Sequence, residues 1–117
     1  MQRFCFALDL VDDPELIQEY ENYHSPGNDW PEVTQNDRDA GITNLQIYRT
    51  GTRMFMIMDT DDDFTFEKKA ALDATVPKVQ DWEQLMWKYQ VPLPWAKAGD
   101  KWILMDQIFQ SGAKKTE

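Results

Sequence analysis

Histidine and cysteine are almost absent from this chain, with one of each, His24 and Cys5, in 117 residues. A single cysteine closes no intrachain disulfide and builds no cysteine zinc cage. Basic residues are scarce as well, 12 Lys and Arg against 21 Asp and Glu, for a net charge of −9. Phosphate recognition needs a basic face, so this balance argues against a nucleic-acid partner. The long-range field also disfavours an anionic substrate. No apolar run reaches membrane-spanning length, and the first residues lack the basic, apolar and small-residue order of a secretory signal. No membrane partner and a cytoplasmic location are therefore expected. There is no phosphate-binding loop, dinucleotide glycine fingerprint or nucleophile elbow. A neutral metabolite handled without cofactor or metal fits what is left.

What is present suffices for a core. Hydrophobic residues make up 42% of the chain and aromatics 13%, which favours one folded domain over 1–117 with a frayed tail at about 111–117. Residues 2–10 put Phe4, Phe6, Leu8 and Leu10 at period two, the pattern of a strand. Asp12, Asp13 and Pro14 supply an acidic cap and a first-turn proline. The helix they start carries Leu16, Ile17, Tyr20 and His24 on one face and stops at Ser25-Pro26-Gly27. A second helix is expected from Trp30-Pro31 to Gly41, then strands at 42–50 and 53–59 joined as a hairpin at Gly51. Residues 64–74 and 79–89 read as helices broken near Val76-Pro77, residues 91–100 as a proline-bearing loop, and 101–110 as a last strand.

That order is an α+β, ferredoxin-like β-α-β-β-α-β sandwich, with helices on one sheet face. The closing run has Trp102, Leu104 and Ile108 on one side and Ile103, Met105 and Phe109 on the other. A strand apolar on both sides calls for a partner sheet, so a homodimer is expected. The acidic run Asp59–Asp63 lacks the glycine and distal glutamate of an EF-hand loop and reads as a solvated turn and helix cap.

Chemistry concentrates in YENYHSPGNDWPEV, residues 20–33. His24 is the one side chain whose ordinary charge change falls near neutral pH. Tyr20 precedes it by a helical spacing, so the two rings share a face. Trp30 follows just past the turn, and an indole face is a platform for the C–H side of a sugar. A proton carrier, a phenol and an indole in one short stretch resemble a small sugar site. Tyr48 and Arg49, at the end of the second strand, are candidates to bond ring hydroxyls.

EYENYHSPGNDWPEV, AGITNLQIYR, RMFMIMDTDDDF, the region around DWEQLMWKY and the closing strand together resemble the L-rhamnose mutarotase family across nearly the whole chain. The most specific part is a tyrosine four residues before a histidine, then a proline turn and a WPE tripeptide: Tyr20, His24, Trp30, Pro31 and Glu32 here. The resemblance implies a dimeric α/β barrel and a cofactor-free enzyme that interconverts the α and β anomers of a free 6-deoxy-hexose. It associates Tyr20 and His24 with the site, along with aromatics from the region of Trp82; Tyr20 and His24 are the catalytic candidates, and Trp30, Trp82 and Trp87 are the expected pocket residues.

Two departures bear on the substrate. Where the rhamnose branch has a tyrosine in the second strand this chain reads Asn44-Leu45-Gln46, and where that branch has adjacent tryptophans this chain has Trp82-Glu83. The variant pattern resembles the branch linked to L-fucose, with L-rhamnose the alternative. Acid–base-assisted ring opening by His24 and Tyr20 is the expected mechanism, with either one as donor. A non-catalytic binding module on the same dimeric fold is the rival outside enzymology.

Overall fold

In the computed structural model, which describes residues 1–112, the apolar alternation of the first run becomes β1, Gln2–Leu10. Its Phe6, Leu8 and Leu10 are buried, and Leu8 is wholly so; truncating a side chain like this to alanine costs about 2–5 kcal/mol. Helix α1, Pro14–Tyr23, starts where the sequence says it should. The Asp13 carboxylate accepts from the backbone N–H of Glu15 and Leu16, and Pro14 occupies a position that needs no donor. Helix α2 spans Pro31–Asp39, and β2 (Ile42–Thr50) and β3 (Arg53–Thr60) follow. Helices α3, Phe66–Asp73, and α4, Pro77–Met86, come next, then two short strands, β4 (Gln90–Val91) and β5 (Ile103–Leu104).

The result is a mixed α+β fold, an antiparallel sheet in the order β2-β3-β1-β4 with β5 also on β1. Gly51 turns the hairpin with φ 58°, so that Thr50 pairs with Arg53 across a two-residue loop. Gly41 has a stricter reason to be glycine. Its φ is 101°, and a Cβ there would lie 2.7 Å from Asp61 Oδ1, a clash added to left-handed strain. Among the described residues, no helix is long and apolar enough to cross a membrane.

Register separates the two sheet faces. Phe6, Met56 and Ile47 are paired across β1, β3 and β2, as are Phe4, Met58 and Leu45, and these side chains face the helices. Cys5, Ile57, Ala7, Phe55 and Tyr48 belong to the opposite face, where Ile103 joins them from β5. That face carries Arg3–Asp59 and Arg53–Asp9 ion pairs at 2.7 and 2.8 Å and has no helix against it among the described residues.

Three expectations need correction. The last strand is Ile103–Leu104 rather than 101–110: after the Met105 N–H donates to the Cys5 carbonyl the chain leaves the sheet, with Ile108 94% exposed. Alternation supplies strand propensity, but a strand forms only where a partner edge is available. The 91–100 loop hides a ladder pair, since Gln90 and Val91 match Leu10 and Asp9 before the chain makes an excursion and returns at Ile103, opposite Ala7. In the acidic run only residues 61–63 form an exposed turn. Asp59 is buried at the end of β3 on Arg3, and Thr65 rather than an aspartate caps α3. The tail expected at 111–117 lies, from residue 113 on, outside the described residues.

Candidate active site

Between the helices and the sheet lies a cavity of about 460 Å³, within the range of small-molecule sites. Its floor is apolar, built from Phe6, Ile47, Met56 and Met58 of the sheet. Tyr20, His24, Trp30 and Trp82 line one end of it, so four of the seven expected site residues come together. One turn of α1 stacks the Tyr20 and His24 rings with centroids 4.4 Å apart. Trp82 of α4 meets the His24 ring edge-on at 5.5 Å and the Trp30 ring at 5.2 Å.

His24 closes α1 as its C-terminal cap, and its Nδ1 lies 2.8 Å from the Tyr20 carbonyl oxygen. A carbonyl only accepts, so Nδ1 carries the hydrogen and Nε2 keeps a lone pair. Desolvation by the surrounding rings lowers the His24 pKa below its ordinary value, against the smaller opposing effect of that hydrogen bond. The imidazole is thus a neutral base at neutral pH, although its open side still meets solvent.

Tyr20 is the reverse case. It is 4% exposed, and burial pushes its pKa up to about 12. Its hydroxyl oxygen accepts from Gln90 Nε2 at 3.3 Å. A phenol that resists ionisation and already has a donor on its oxygen is left with its own O–H to give. A neutral base and a protonated phenol, adjacent in one cavity, are the pair needed to move a proton off one oxygen and onto another.

The other three expected residues do not line the cavity. Tyr48 pairs with Phe55 and is 55% exposed on the opposite sheet face, a consequence of strand parity. Arg49 is on the helix side, but its Nε donates to Glu21 at 2.8 Å and its Nη1 to the Gly51 carbonyl. Trp87 caps α4, with the Lys101 ammonium 4.8 Å from its ring centroid. Conversely, Gln90, Asp37 and Glu83 line the cavity without having been singled out as site residues. Asp37 had a legible signal, being one helical turn beyond Val33, which also lines it. Gln90 had none, because its orientation depends on a two-residue pairing with β1.

A family model described as L-rhamnose mutarotase matches residues 3–111. An L-fucose mutarotase of Xanthomonas campestris pv. campestris is 46% identical over 93% of this chain and 87% of its own length. A UPF0734 protein of Dictyostelium discoideum is 37% identical over 91% of this chain and 86% of its own. Among solved structures, an L-rhamnose mutarotase of Formosa agariphila superposes with a TM-score of 0.66 at 18% identity, covering 96% of this chain and all of that one. Tetracenomycin F2 cyclase of Streptomyces glaucescens does so with a TM-score of 0.60 at 16% identity, over 98% of this chain and all of its own. At those identities the two structures speak to the fold alone.

Proposed function

The chain belongs to the L-rhamnose mutarotase family and is a sugar mutarotase, an isomerase; from that premise we propose that its substrate is free L-fucose. The observation that carries this choice is the 46% identity to an L-fucose mutarotase over most of both chains. The cavity wall supports it. Leu45 and Glu83, at the two places where the chain departs from the rhamnose pattern, both line the cavity that holds Tyr20 and His24.

The proposed reaction needs only proton transfers. His24 Nε2 takes the proton of the anomeric hydroxyl while the Tyr20 O–H gives one to the ring oxygen. The C1–ring-oxygen bond breaks, C1 becomes a carbonyl, and the open aldehyde turns about C1–C2. Closure on the other carbonyl face runs the same transfers backwards and returns both residues to their starting state. Such acid–base help is worth about 10²–10⁴ in rate. Trp30 and Trp82 wall the sugar with apolar faces and exclude water from the open form.

A homodimer completes the reading. The sheet face opposite the helices exposes Tyr48 and Met105 beside half-buried Phe55, Ile57 and Ile103, and the outgoing segment exposes Ile108 and Phe109. A second copy laid on that face would close a dimeric α/β barrel, and equilibrium sedimentation should give twice the chain mass. For the activity, saturation of one anomeric proton by NMR in equilibrated L-fucose, and separately in L-rhamnose, reports the exchange rate. Faster exchange of L-fucose supports the assignment. Preference for L-rhamnose overturns the substrate, and no acceleration of either sugar overturns the site.

A further inference from the structure

Gln90 is the first residue of β4, and its pairing with Leu10 turns its side chain toward the helices and into the cavity. It is 6% exposed. Its Nε2 donates to the Tyr20 hydroxyl oxygen at 3.3 Å, while its Oε1 is the one buried side-chain polar atom without a hydrogen-bond partner among the described residues. Turning the amide over does not cure this. Oε1 would then accept from the Tyr20 O–H, and the NH₂ would be stranded instead. One end of the amide lacks a partner either way round, and buried polar groups left like this are rare and call for a reason.

The other buried carboxamide of the fold shows the ordinary solution. Asn36 is 3% exposed and donates to Asp73 Oδ1 at 2.6 Å, inside a network of protein groups. Gln90 has no such network among the described residues: its side chain lines the cavity, and its Oε1 is shielded from solvent yet unpaired. The missing partner is a hydrogen-bond donor, and the cavity beside this side chain is where a sugar would bring one. We propose that Gln90 is a substrate-binding residue that also positions Tyr20: its Oε1 accepts a sugar hydroxyl while its Nε2 holds the phenol oxygen, aiming the Tyr20 O–H at the ring oxygen. Occupying one lone pair of the phenol restricts where its proton can point, and the shared amide couples that direction to the bound sugar. The inference rests on the mutarotase reading of the Tyr20 and His24 pair.

The test is Gln90→Met, which keeps the side-chain length and removes both polar ends. Gln90→Met removes a buried acceptor that lacks a partner but also the donor on the buried Tyr20 oxygen, so its unfolding temperature should stay close to the parent's, whereas loss of a purely structural glutamine would lower it. Its half-saturating sugar concentration should rise about tenfold, and its kcat for anomer exchange should fall severalfold. In a Tyr20→Phe background the kcat effect of Gln90→Met should vanish while the weaker binding persists. Wild-type kcat and half-saturation in Gln90→Met would overturn the inference and leave the mutarotase reading intact. A lowered Tm without change in half-saturation would overturn it likewise, assigning the residue to the fold. A parent protein that accelerates neither L-fucose nor L-rhamnose would overturn both.

Discussion

Two polar clusters face the same side of the sheet, and they are satisfied differently. Toward α3, Asp73 accepts from Asn36 at 2.6 Å and from Lys69 at 2.5 Å, and the same ammonium lies 3.5 Å from Asp37. Burial raises the Asp37 pKa, and Lys69 opposes it. Asp37, Lys69 and Asp73 line the same cavity, but their charges answer one another, and the effect is to tie α2 to α3. Toward α1, His24 bonds a backbone carbonyl, Tyr20 takes a single donor, and the Gln90 carbonyl takes none. A closed network stabilises the fold. An open one, walled by Trp30 and Trp82, is unfinished until something with hydroxyls enters.

The sharpest way to break that contrast is to truncate one residue in each cluster. His24→Ala removes the neutral base of the open cluster and should slow anomer exchange about 10²–10⁴-fold with little change in Tm. Tyr20→Phe removes the proton donor and should slow exchange about 10²-fold or more. It should also destabilise, because the Gln90 side chain then loses its one hydrogen-bond partner among the described residues. Saturation-transfer NMR reads the first effect and thermal unfolding the second. If His24→Ala exchanges L-fucose at the parent rate, the open cluster is not the catalytic one.

How much of this was legible depended on whether the signal was local. Pro14 and Pro31 each begin a helix because proline lacks the donor a first turn does not need, so those starts can be read off the chain; Pro77 does the same for α4, Pro77–Met86, where a break and then a helix over 79–89 were expected. The four-residue spacing of Tyr20 and His24 fixes their stacking for the same local reason. Parity along a strand is local too, but which parity faces the helices is not. Hence Tyr48 and Arg49, neighbours of opposite parity, were both candidates, and the pairing of Tyr48 with Phe55 puts it on the far face. Gln90 was invisible. Its orientation comes from a ladder that β1 begins with Val91 and resumes with Ile103, and the prolines at 92 and 94 make the stretch between read as loop. Family resemblance brought in Trp82, whose contact with His24 spans two elements far apart in sequence.

Asp73→Ala tests the closed cluster. It strands the buried Asn36 amide and leaves Lys69 with Asp37 alone, so a loss of about 1–3 kcal/mol is expected, read as a lower urea midpoint at constant slope. Anomer exchange at a temperature where the variant is folded should stay within severalfold of the parent. A variant of unchanged stability would show that the network is decorative, and one that lost activity in step with His24→Ala would erase the distinction between the clusters.

The smallest expected effect separates the two clusters by pH. The rings around His24 hold its pKa below the ordinary histidine value in the folded chain, whereas the unfolded chain protonates near the ordinary value of about 6.5. Between those two values the unfolded state binds the extra proton. The stability that comes from keeping this imidazole neutral is therefore complete above about pH 6.5 and is lost as the pH falls toward the folded value. Exchange depends on the folded value alone, so its rate should hold through the ordinary histidine range and decline only below it. Thermal unfolding of the parent and of His24→Gln at a series of pH values from about 7.5 to 5 isolates the contribution, because every carboxylate is common to both proteins. The parent curve should lose ground to the variant on the acidic side. Parallel curves would mean that the surrounding rings do not bias the imidazole toward its neutral form, and the base assignment would lose its electrostatic support.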